Sequence, residues 1–495
     1  MSHTDDRPQS PALRPDPEPV AAGPPTRTGT VRITPVISVL AVSALLMILN
    51  ETVLSVVLPQ LMNDFGVGAT TVQWLTTGFM LTMAVVIPTT GFLLRRFTTR
   101  ALFTTAIALF TVGTLLAALA PGFTAMLLAR VVQACGTAII LPLLMATTLN
   151  HVPVAHRGTV MGLNSVVISV APAVGPTVSG LIADTLGWRW VFGLMLAIAV
   201  LVLALGAVFV RLPDETGPAP LDVPSVVLSV PGFGGLVYGL GGLGALDGSA
   251  SGALVPVAAL AVGAVALALF VLRQRRLQRS GSPLLDLRPL GVGRFRISLV
   301  IVVVCMATML GTVLVLPLHL QVGLGQSILV TGLLLLPGGL VQGVLSPLVG
   351  RLYDTVGPAP LVIPGALLLC GGQWWLSTAD TDTGTGTVVA MHVVFCVGMA
   401  MLMTPLMTLS LSALPRELYG HGSAIMNTLQ QLAGAAGVAV MVAAMSVGAA
   451  AAKTGDAALA QAAGTHQAFV LGGCAALVAV VCAPFVRRLP RAAEG

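Results

Sequence analysis

The sequence predicts an all-α integral membrane protein whose spanning helices form two related bundles. Of its 495 residues, 56% are hydrophobic and only 8% are charged, and the mean hydropathy is +0.96. A soluble chain carries about 25% charged residues, because its surface must face water. Lipid covers most of a multi-spanning protein, so few charges suffice. The 55 glycines and 33 prolines also fit, since both residues are common in membrane helices.

Fourteen apolar stretches are close to the length of about 20 residues that a spanning helix needs. They lie near 35–58, 73–94, 101–120, 123–146, 159–183, 189–210, 223–244, 252–272, 297–318, 328–349, 359–378, 387–411, 421–448 and 466–486. Pro and Gly interrupt many of them, which a bundle tolerates because neighbouring helices satisfy the freed backbone groups. The sequence therefore predicts fourteen membrane spans.

The arginines are distributed unequally between alternate loops. With the N-terminus placed inside, the inner loops and the C-terminal tail hold seventeen arginines and the N-terminal tail holds four. The outer loops hold only Arg189 and Lys453, and Arg130 lies within a span. Basic loops stay on the cytoplasmic side of a membrane. Both termini are therefore predicted to be cytoplasmic. The Ala, Gly, Val, Leu and Arg bias favours a GC-rich bacterial genome, so we expect the bacterial cytoplasmic membrane.

Other classes of protein are disfavoured. The net charge is +6, but the basic residues lie in short loops between apolar runs, so we expect no nucleic-acid partner. The six cysteines fall in apolar runs without the spacing of a metal site. The Pro-rich residues 1–32 show no cleavable signal and are predicted to be a disordered tail. No Walker-type phosphate loop is present.

Two segments occupy corresponding places in the two halves of the chain. GFLLRRFTTR (91–100) follows span 2 and GRLYDTVG (350–357) follows span 10. Such repeats are typical of transporters that rock two bundles around a central site. The predicted division is a tail over 1–32, a six-helix bundle over 33–215, two added spans with a basic loop over 216–296, a second six-helix bundle over 297–487 and a tail over 488–495.

An ordered set of motifs resembles a known family. NETVLSVVLP (50–59), LLARVVQACGTA (127–138) and SVAPAVGPTVSG (169–180) are similar to the span-1, span-4 and span-5 motifs of the major facilitator superfamily, in its fourteen-span drug:proton antiporter family. Further matches extend over 72–81, 188–192, 316–325 and 420–440. The resemblance implies a major facilitator fold of two six-helix bundles plus two inserted helices. It also implies proton-coupled efflux of amphipathic drugs, antibiotics or toxic metabolites by alternating access.

The resemblance assigns roles to residues of these motifs. The span-1 signature contains Asn50, Thr52 and Pro59; the antiporter hinge contains Pro172, Gly175, Pro176 and Gly180; the gating loops contain Gly91, Arg95, Arg96, Arg100, Gly350, Asp354 and Gly357. Three of the motifs depart from the family pattern. The family usually has Asp at the positions of Asn50 and Arg95, with Gly where this chain has Thr98, and a second Gly at the position of Ala134. In the corresponding loop of the second half, Asp354 stands at the position that matches Arg95.

Glu51 is the only acidic residue well inside an apolar run. A charge at mid-membrane costs several kcal/mol, so this carboxylate should face a cavity or a partner. Glu51 and Arg130 both lie about 10 Å from the predicted outer ends of their spans, at ~1.5 Å per residue. They can therefore pair if the spans are neighbours. We expect them to couple protons to transport, and the alternative is a static pair that fixes helix register.

The substrate site is the least visible feature of the sequence. The candidates are Trp74, Gln133, Gln321, Gln430, Gln431 and Met403, and Met403 belongs to the methionine-rich run 399–407. Flexible thioethers suit varied apolar ligands, although ordinary packing explains most such runs. We expect a small-molecule substrate, a monomer in the lipid bilayer, and no cofactor other than the coupling proton. The alternatives are a proton- or sodium-coupled importer on the same fold, and a membrane-embedded transferase or sensor.

The topology gives the first testable prediction. A single Cys introduced near Arg276, in a chain without its native cysteines, should react with an impermeant thiol reagent from the cytoplasmic side only. Labelling of intact cells against inverted vesicles measures this. Reaction from the outside alone would contradict fourteen spans with both termini inside.

Overall fold

The computed structural model describes residues 33–72, 74–212, 222–244, 250–279 and 283–486. Fourteen long helices make up most of this part of the chain. They are α1 (Ile33–Phe65), α2 (Trp74–Arg96), α3 (Thr99–Ala118), α4 (Phe123–His151), α5 (Arg157–Leu186), α6 (Trp188–Phe209), α7 (Val223–Gly242), α8 (Ala250–Arg279), α9 (Gly293–Leu318), α10 (Ile328–Val356), α11 (Ala359–Leu376), α12 (Thr385–Ser412), α13 (Tyr419–Ala451) and α14 (Ala457–Cys482).

The helices follow the predicted spans in order and position. Within the described residues, thirteen helices are long and apolar enough to cross a membrane. The remaining long helix, α5, has 30 residues and coincides with the fifth predicted span. The predicted tails 1–32 and 488–495 lie outside the described residues. The predicted basic loop 273–296 is partly helical, because α8 continues through its first arginines to Arg279.

The helices pack as two bundles with an inserted pair between them in sequence. Helices α1–α6 contact one another, helices α9–α14 do the same, and α7 packs on α8. Helix α7 also lies along α13 of the second bundle and touches α2 of the first. The largest contact between the bundles joins α5 to α10, and smaller contacts join α13 to α2 and α4, and α12 to α5. These four contacts form the seam at which the bundles meet.

Short irregular turns interrupt three of the spans. A 3₁₀ turn at Ile87–Thr89 contains Pro88 and divides α2. A π turn at Val230–Gly234 contains Pro231 and divides α7, and a second π turn at His319–Gly323 follows α9. Proline removes a backbone donor, and π turns often mark functional positions. The regular helical hydrogen bonding therefore changes at these places.

Helices α4 and α12 carry the same local pattern at the same place in their bundles. ARVVQACGTA (129–138) in α4 matches MHVVFCVGMA (391–400) in α12. A side chain at Gly136 would overlap the backbone of α3 at Ala106, and one at Gly398 would overlap the backbone of α11 at Leu369. Glycine lets membrane helices approach closely. The two bundles are thus built on a repeated contact.

The packing of α11 on α12 gives a stability prediction with a matched control. A Cβ atom at Gly372 would lie 2.9 Å from the backbone N and Cα of Phe395, whereas one at Gly371 meets nothing within 4 Å. We therefore expect Gly372→Leu to destabilise the protein by about 1–3 kcal/mol. Gly371→Leu should change stability by less than about 0.5 kcal/mol. Thermal unfolding of the purified protein in detergent measures both, and equal effects would contradict the packing described.

Candidate functional site

Arg130 is the largest fully buried side chain of the described residues and lies in the middle of the first bundle. Its guanidinium stacks over the ring of Phe79 at 4.1 Å. Its Nη1 donates a hydrogen bond of 2.9 Å to Oε1 of Gln133, one helical turn along α4, and its Nε makes a long contact of 3.5 Å with the carbonyl oxygen of Leu75. The charge is therefore held by an aromatic face and by neutral oxygen atoms.

Gln133 links three helices through its amide. Its Oε1 also accepts a bond of 3.4 Å from Nδ2 of Asn50 in α1, and its Nε2 donates a bond of 3.0 Å to Oγ1 of Thr114 in α3. All of these side chains are buried. Oδ1 of Asn50 and Nη2 of Arg130 are buried without a partner among the described residues. The cluster thus has unused hydrogen-bonding capacity in an apolar bundle.

Glu51 is half-buried and follows Asn50 in α1, which packs on α4. The carboxylate and Arg130 act on each other electrostatically. The expected ion pair is not formed in this conformation, since no ion pair within 4.0 Å joins these two described residues. Gln133 takes the guanidinium instead, because it lies one turn away on the same helix. Among the described residues, the carboxylate of Glu51 has no cationic side chain in direct contact.

The span-5 motif packs against the span-1 signature. A Cβ atom at Gly175 would overlap Oγ1 of Thr52, so only glycine permits this approach of α5 to α1. Oγ1 of Thr52 donates 2.9 Å to the carbonyl oxygen of Leu49, and Oγ of Ser179 donates 2.7 Å to that of Gly175. Gly180 is half-buried further along α5. The side chains of Pro59, Pro172 and Pro176 lie outside the described residues.

The start of α5 is bound to the end of α10. The carboxylate of Asp354 accepts hydrogen bonds from the backbone N of Gly158 at 2.7 Å, from the backbone N of Thr159 at 2.8 Å and from its Oγ1 at 2.7 Å. A helix N-terminus has free donors and a positive dipole, so a carboxylate is well placed there. Gly350 lies against the carbonyl oxygen of Gly158, and Gly357 ends α10 at φ 84°. The seam is closed at this end.

This closed end also carries most of the arginines, and we call it the arginine-rich end. Arg95 donates 3.1 Å from Nη2 to the carbonyl oxygen of Pro283, and Arg100 donates 3.1 Å to that of Ala207. Arg96 is exposed. Gly91 in α2 abuts the ring of His421 in α13, where any side chain would overlap it. Arg95, Arg100 and Gly91 therefore contact other helices or the segment before α9, whereas the side chain of Arg96 makes no hydrogen bond to other described residues.

A methionine-lined cavity lies at the seam between the bundles. In this conformation the cavity is small, with about 20 Å³ open to the centre of a water molecule, and it receives side chains from both bundles. They are Met145, Met161 and Ser165 from the first bundle, and Met306, Met309, Gln342, Ser346, Met403 and Met407 from the second. Oγ1 of Thr404 donates 3.1 Å to Oγ of Ser165 across the seam. No charged side chain is among these lining residues.

The six predicted substrate residues lie at different places in the structure. Met403 lines the cavity, and Nε2 of Gln430 lies 4.0 Å from Sδ of the lining residue Met407. Gln133 belongs to the Arg130 cluster. Gln431 is half-buried, as is Gln321 in the π turn after α9.

Trp74 lies elsewhere. It is 42% exposed, and its ring stacks on Tyr238 of the inserted pair at 5.6 Å.

Several cavity residues were not identified from the sequence. Met403 and Met407 lie four residues apart, and Met306 and Met309 lie three apart, which places each pair on one helix face. That spacing is a usable signal. Met399, from the same run, is buried in the core of the second bundle. Met145 and Met161 lie on the consecutive helices α4 and α5, and only the packing of the helices brings them to the same cavity.

Comparisons with known proteins agree with this architecture. The Major Facilitator Superfamily profile matches residues 40–438. The chain is 39% identical over 466 residues to the lincomycin resistance protein LmrB of Bacillus subtilis, covering 92% of this chain and 96% of that protein. It is 29% identical over 394 residues to a multidrug resistance protein B homolog of Mycobacterium tuberculosis, covering 79% of this chain and 72% of that protein.

Solved structures share the fold. The proton:xylose symporter XylE superposes with a TM-score of 0.64 at 18% identity, covering 92% of this chain and 96% of XylE. The human organic anion transporter MFSD10 superposes with a TM-score of 0.63 at 16% identity, covering 91% and 99%. At these identities the likeness concerns the fold alone. With a family profile over most of its length and relatives aligned nearly end to end, the chain belongs to the Major Facilitator Superfamily and is a multi-pass membrane transporter rather than an enzyme.

Proposed function

We propose that this transporter exports small amphipathic drugs or antibiotics across the bacterial cytoplasmic membrane in exchange for protons. The observation that carries the proposal is Glu51, a carboxylate inside the first bundle that interacts with Arg130 without a direct ion pair. A buried carboxylate is favoured in its neutral form by desolvation and in its charged form by a nearby cation. A motion that changes the distance between Glu51 and Arg130 therefore changes proton affinity.

The position of the cluster allows such a motion to reach it. Glu51 lies one residue before Thr52, which Gly175 of α5 contacts directly, and α5 makes the main contact with the second bundle through α10. A rotation of the bundles about the seam would move α5 against α1. Proton binding in the first bundle and opening of the seam would then be coupled mechanically. The closed seam at Asp354 and Gly158 represents one end state of this cycle.

The methionine-lined cavity is our proposed substrate site. It lies between the bundles, where alternating access requires a ligand to bind. Unbranched thioether side chains adapt to ligands of different shape, and Gln342, Ser165 and Ser346 offer a few hydrogen bonds. The names of the relatives, lincomycin resistance protein and multidrug resistance protein, make lincosamides and other amphipathic antibiotics the first compounds to test. The arginine-rich end is assigned to the cytoplasm by the positive-inside rule.

Glu51→Gln is the direct test of proton coupling. The change keeps the size of the side chain and its hydrogen-bonding capacity, but it removes titration. It also removes the burden of a buried charge, so the variant should fold at least as well as wild type. We expect export driven by a pH gradient into inverted vesicles to fall to near background, while exchange of substrate across the membrane persists. Glu51→Asp should keep partial activity.

Asn50→Ala is the matched control for this prediction. Asn50 precedes Glu51 in α1 and is held by Gln133, but it cannot titrate. We expect it to reduce export less than Glu51→Gln. Equal gradient-driven export by wild type and Glu51→Gln would exclude Glu51 as the proton carrier. The efflux proposal itself would be refuted if the wild type exported none of a chemically varied panel of antibiotics.

The contact of α5 with α1 gives a second test of the mechanism. Gly175→Leu should insert normally, since no charge is changed, but it should block the approach of α5 to Thr52. We expect transport to be lost. The control is Gly193→Leu in α6, where a Cβ atom would meet only ordinary contact at 3.8 Å. Transport at the wild-type rate in Gly175→Leu, with normal membrane levels, would show that this contact has no mechanical role.

A further inference from the structure

The segment 283–291, which we call the connector, joins the inserted pair to the second bundle at the arginine-rich end. It lies where α2 of the first bundle meets α13 of the second. Nη2 of Arg95 in α2 donates 3.1 Å to the carbonyl oxygen of Pro283. The backbone N of Asp286 donates 3.2 Å to Nδ1 of His421 in α13. The connector is therefore bonded to both bundles.

The inserted pair holds the connector from the other side. The backbone N of Leu285 donates 3.1 Å to Oε1 of Gln274, and Nε2 of Gln278 donates 2.9 Å to Oδ1 of Asp286. The side chains of Leu284 and Leu285 are buried in a hydrophobic cluster that contains residues of both bundles and of the inserted pair. Any opening of the seam at this end must break the bonds of the connector to one bundle or the other. The connector is thus part of the closure.

His421 is the centre of this joint and can complete it in only one protonation state. Its side chain is 1% exposed, and its ring lies against Gly91 of α2. Because Nδ1 accepts a bond from the backbone N of Asp286, the ring must be neutral with its hydrogen on Nε2. Nε2 is buried without a partner among the described residues. A protonated ring has no lone pair on Nδ1, so this bond would be lost.

The charges around the ring favour release of the connector when the ring is protonated. The groups that act on His421 are Arg95 of α2, and Asp286 and Arg288 of the connector, and Glu417 acts in turn on Arg288. Burial would raise the pKa of the Asp286 carboxyl, but hydrogen bonds from Arg288 outweigh it and the pKa lies below its usual range. Asp286 therefore stays ionised in mild acid and is already bonded to Arg288 at 2.6 Å. Protonation would place a second cation beside Arg95.

We propose that His421 is a proton-binding residue of this transporter, separate from Glu51, whose protonation releases the connector and allows the arginine-rich end to open. The inference rests on the proposed function only in assuming that the seam opens and closes. The joint is complete while His421 is neutral, and it weakens as the pH falls through the titration of the ring. A fall in pH on the arginine-rich side would then favour the state open to that side.

The test measures the seam directly, without substrate or a proton gradient. Spin labels on Phe97→Cys and Leu352→Cys, both 45% exposed at the arginine-rich end of opposite bundles, report their separation in the purified full chain. The labelled protein has its native cysteines replaced and carries Glu51→Gln, so that no carboxyl group titrates at position 51. We expect a single short distance at about pH 8. The longer distance should grow as the pH falls below about 6.5, the ordinary pKa of histidine, towards about pH 5, and the ratio of the two populations should change by up to about tenfold per pH unit.

Two variants of His421 separate its protonation from its packing. His421→Asn keeps an oxygen acceptor near the position of Nδ1 but cannot be protonated, so the short distance should persist at both pH values. His421→Ala removes the acceptor, so the longer distance should be populated at both. His466→Asn, in α14, is the control and should respond to pH as the parent does. His466 is bonded to the carbonyl oxygen of Ser377 and is not part of this joint.

Two results would overturn the inference. One is a parent protein whose label distance does not change between the two pH values. The other is a His421→Asn variant that keeps the full pH response of the parent. Neither result depends on export, so the antiport proposal would stand or fall separately. Failure of His421→Ala to fold would leave the comparison of the parent with His421→Asn as the deciding measurement.

Discussion

A charge within an apolar helical bundle must be stabilised by the protein, and the burial of Arg130 imposes this requirement on the whole first bundle. Lipid offers no hydrogen bonds, so the guanidinium takes them from Gln133 and lies on the face of Phe79. Gln133 in turn fixes Asn50 and Thr114 on the neighbouring helices. This cluster determines the register of three helices. It also leaves the adjacent carboxylate near a cation that it does not bind, which is the condition for a pKa that depends on conformation.

The contacts between the two bundles at the seam must also meet a physical requirement. In the proposed cycle the bundles separate, so the contacts between them must be able to break. Close glycine contacts and hydrogen bonds to helix ends join the bundles alongside apolar packing. Asp354 accepts three bonds at the start of α5, and Gly158 and Gly350 allow the backbones to approach. The bond from the backbone N of Asp286 to His421 adds a contact that we propose to depend on protonation. The inserted pair therefore has a place in the closure, which its position beside α2 and α13 makes possible.

Much of this architecture could be predicted from the sequence. Hydropathy located the helices in order, and the isolated position of Glu51 in an apolar run drew attention to the acidic residue beside the cluster. The direct pair of Glu51 with Arg130 was not found, because a glutamine one turn away on the same helix offers the guanidinium a nearer oxygen. Trp74 stacks on the inserted pair rather than lining the cavity. Contacts between distant segments, such as Asp286 with His421, leave no periodic signal in the sequence.

Substrate-induced proton release from the purified protein tests most directly whether Glu51 carries the coupling proton. A weakly buffered solution of wild type with a pH indicator should acidify when a transported antibiotic is added, because substrate binding shifts the cluster towards its ionised form. Glu51→Gln should bind the same compound without releasing a proton. If the variant releases as many protons as wild type, the carrier is another acid. Asp354 of the seam, Asp222 just before α7 and Asp184 near the end of α5 are then the next candidates, and Glu51 is a structural residue of the cluster.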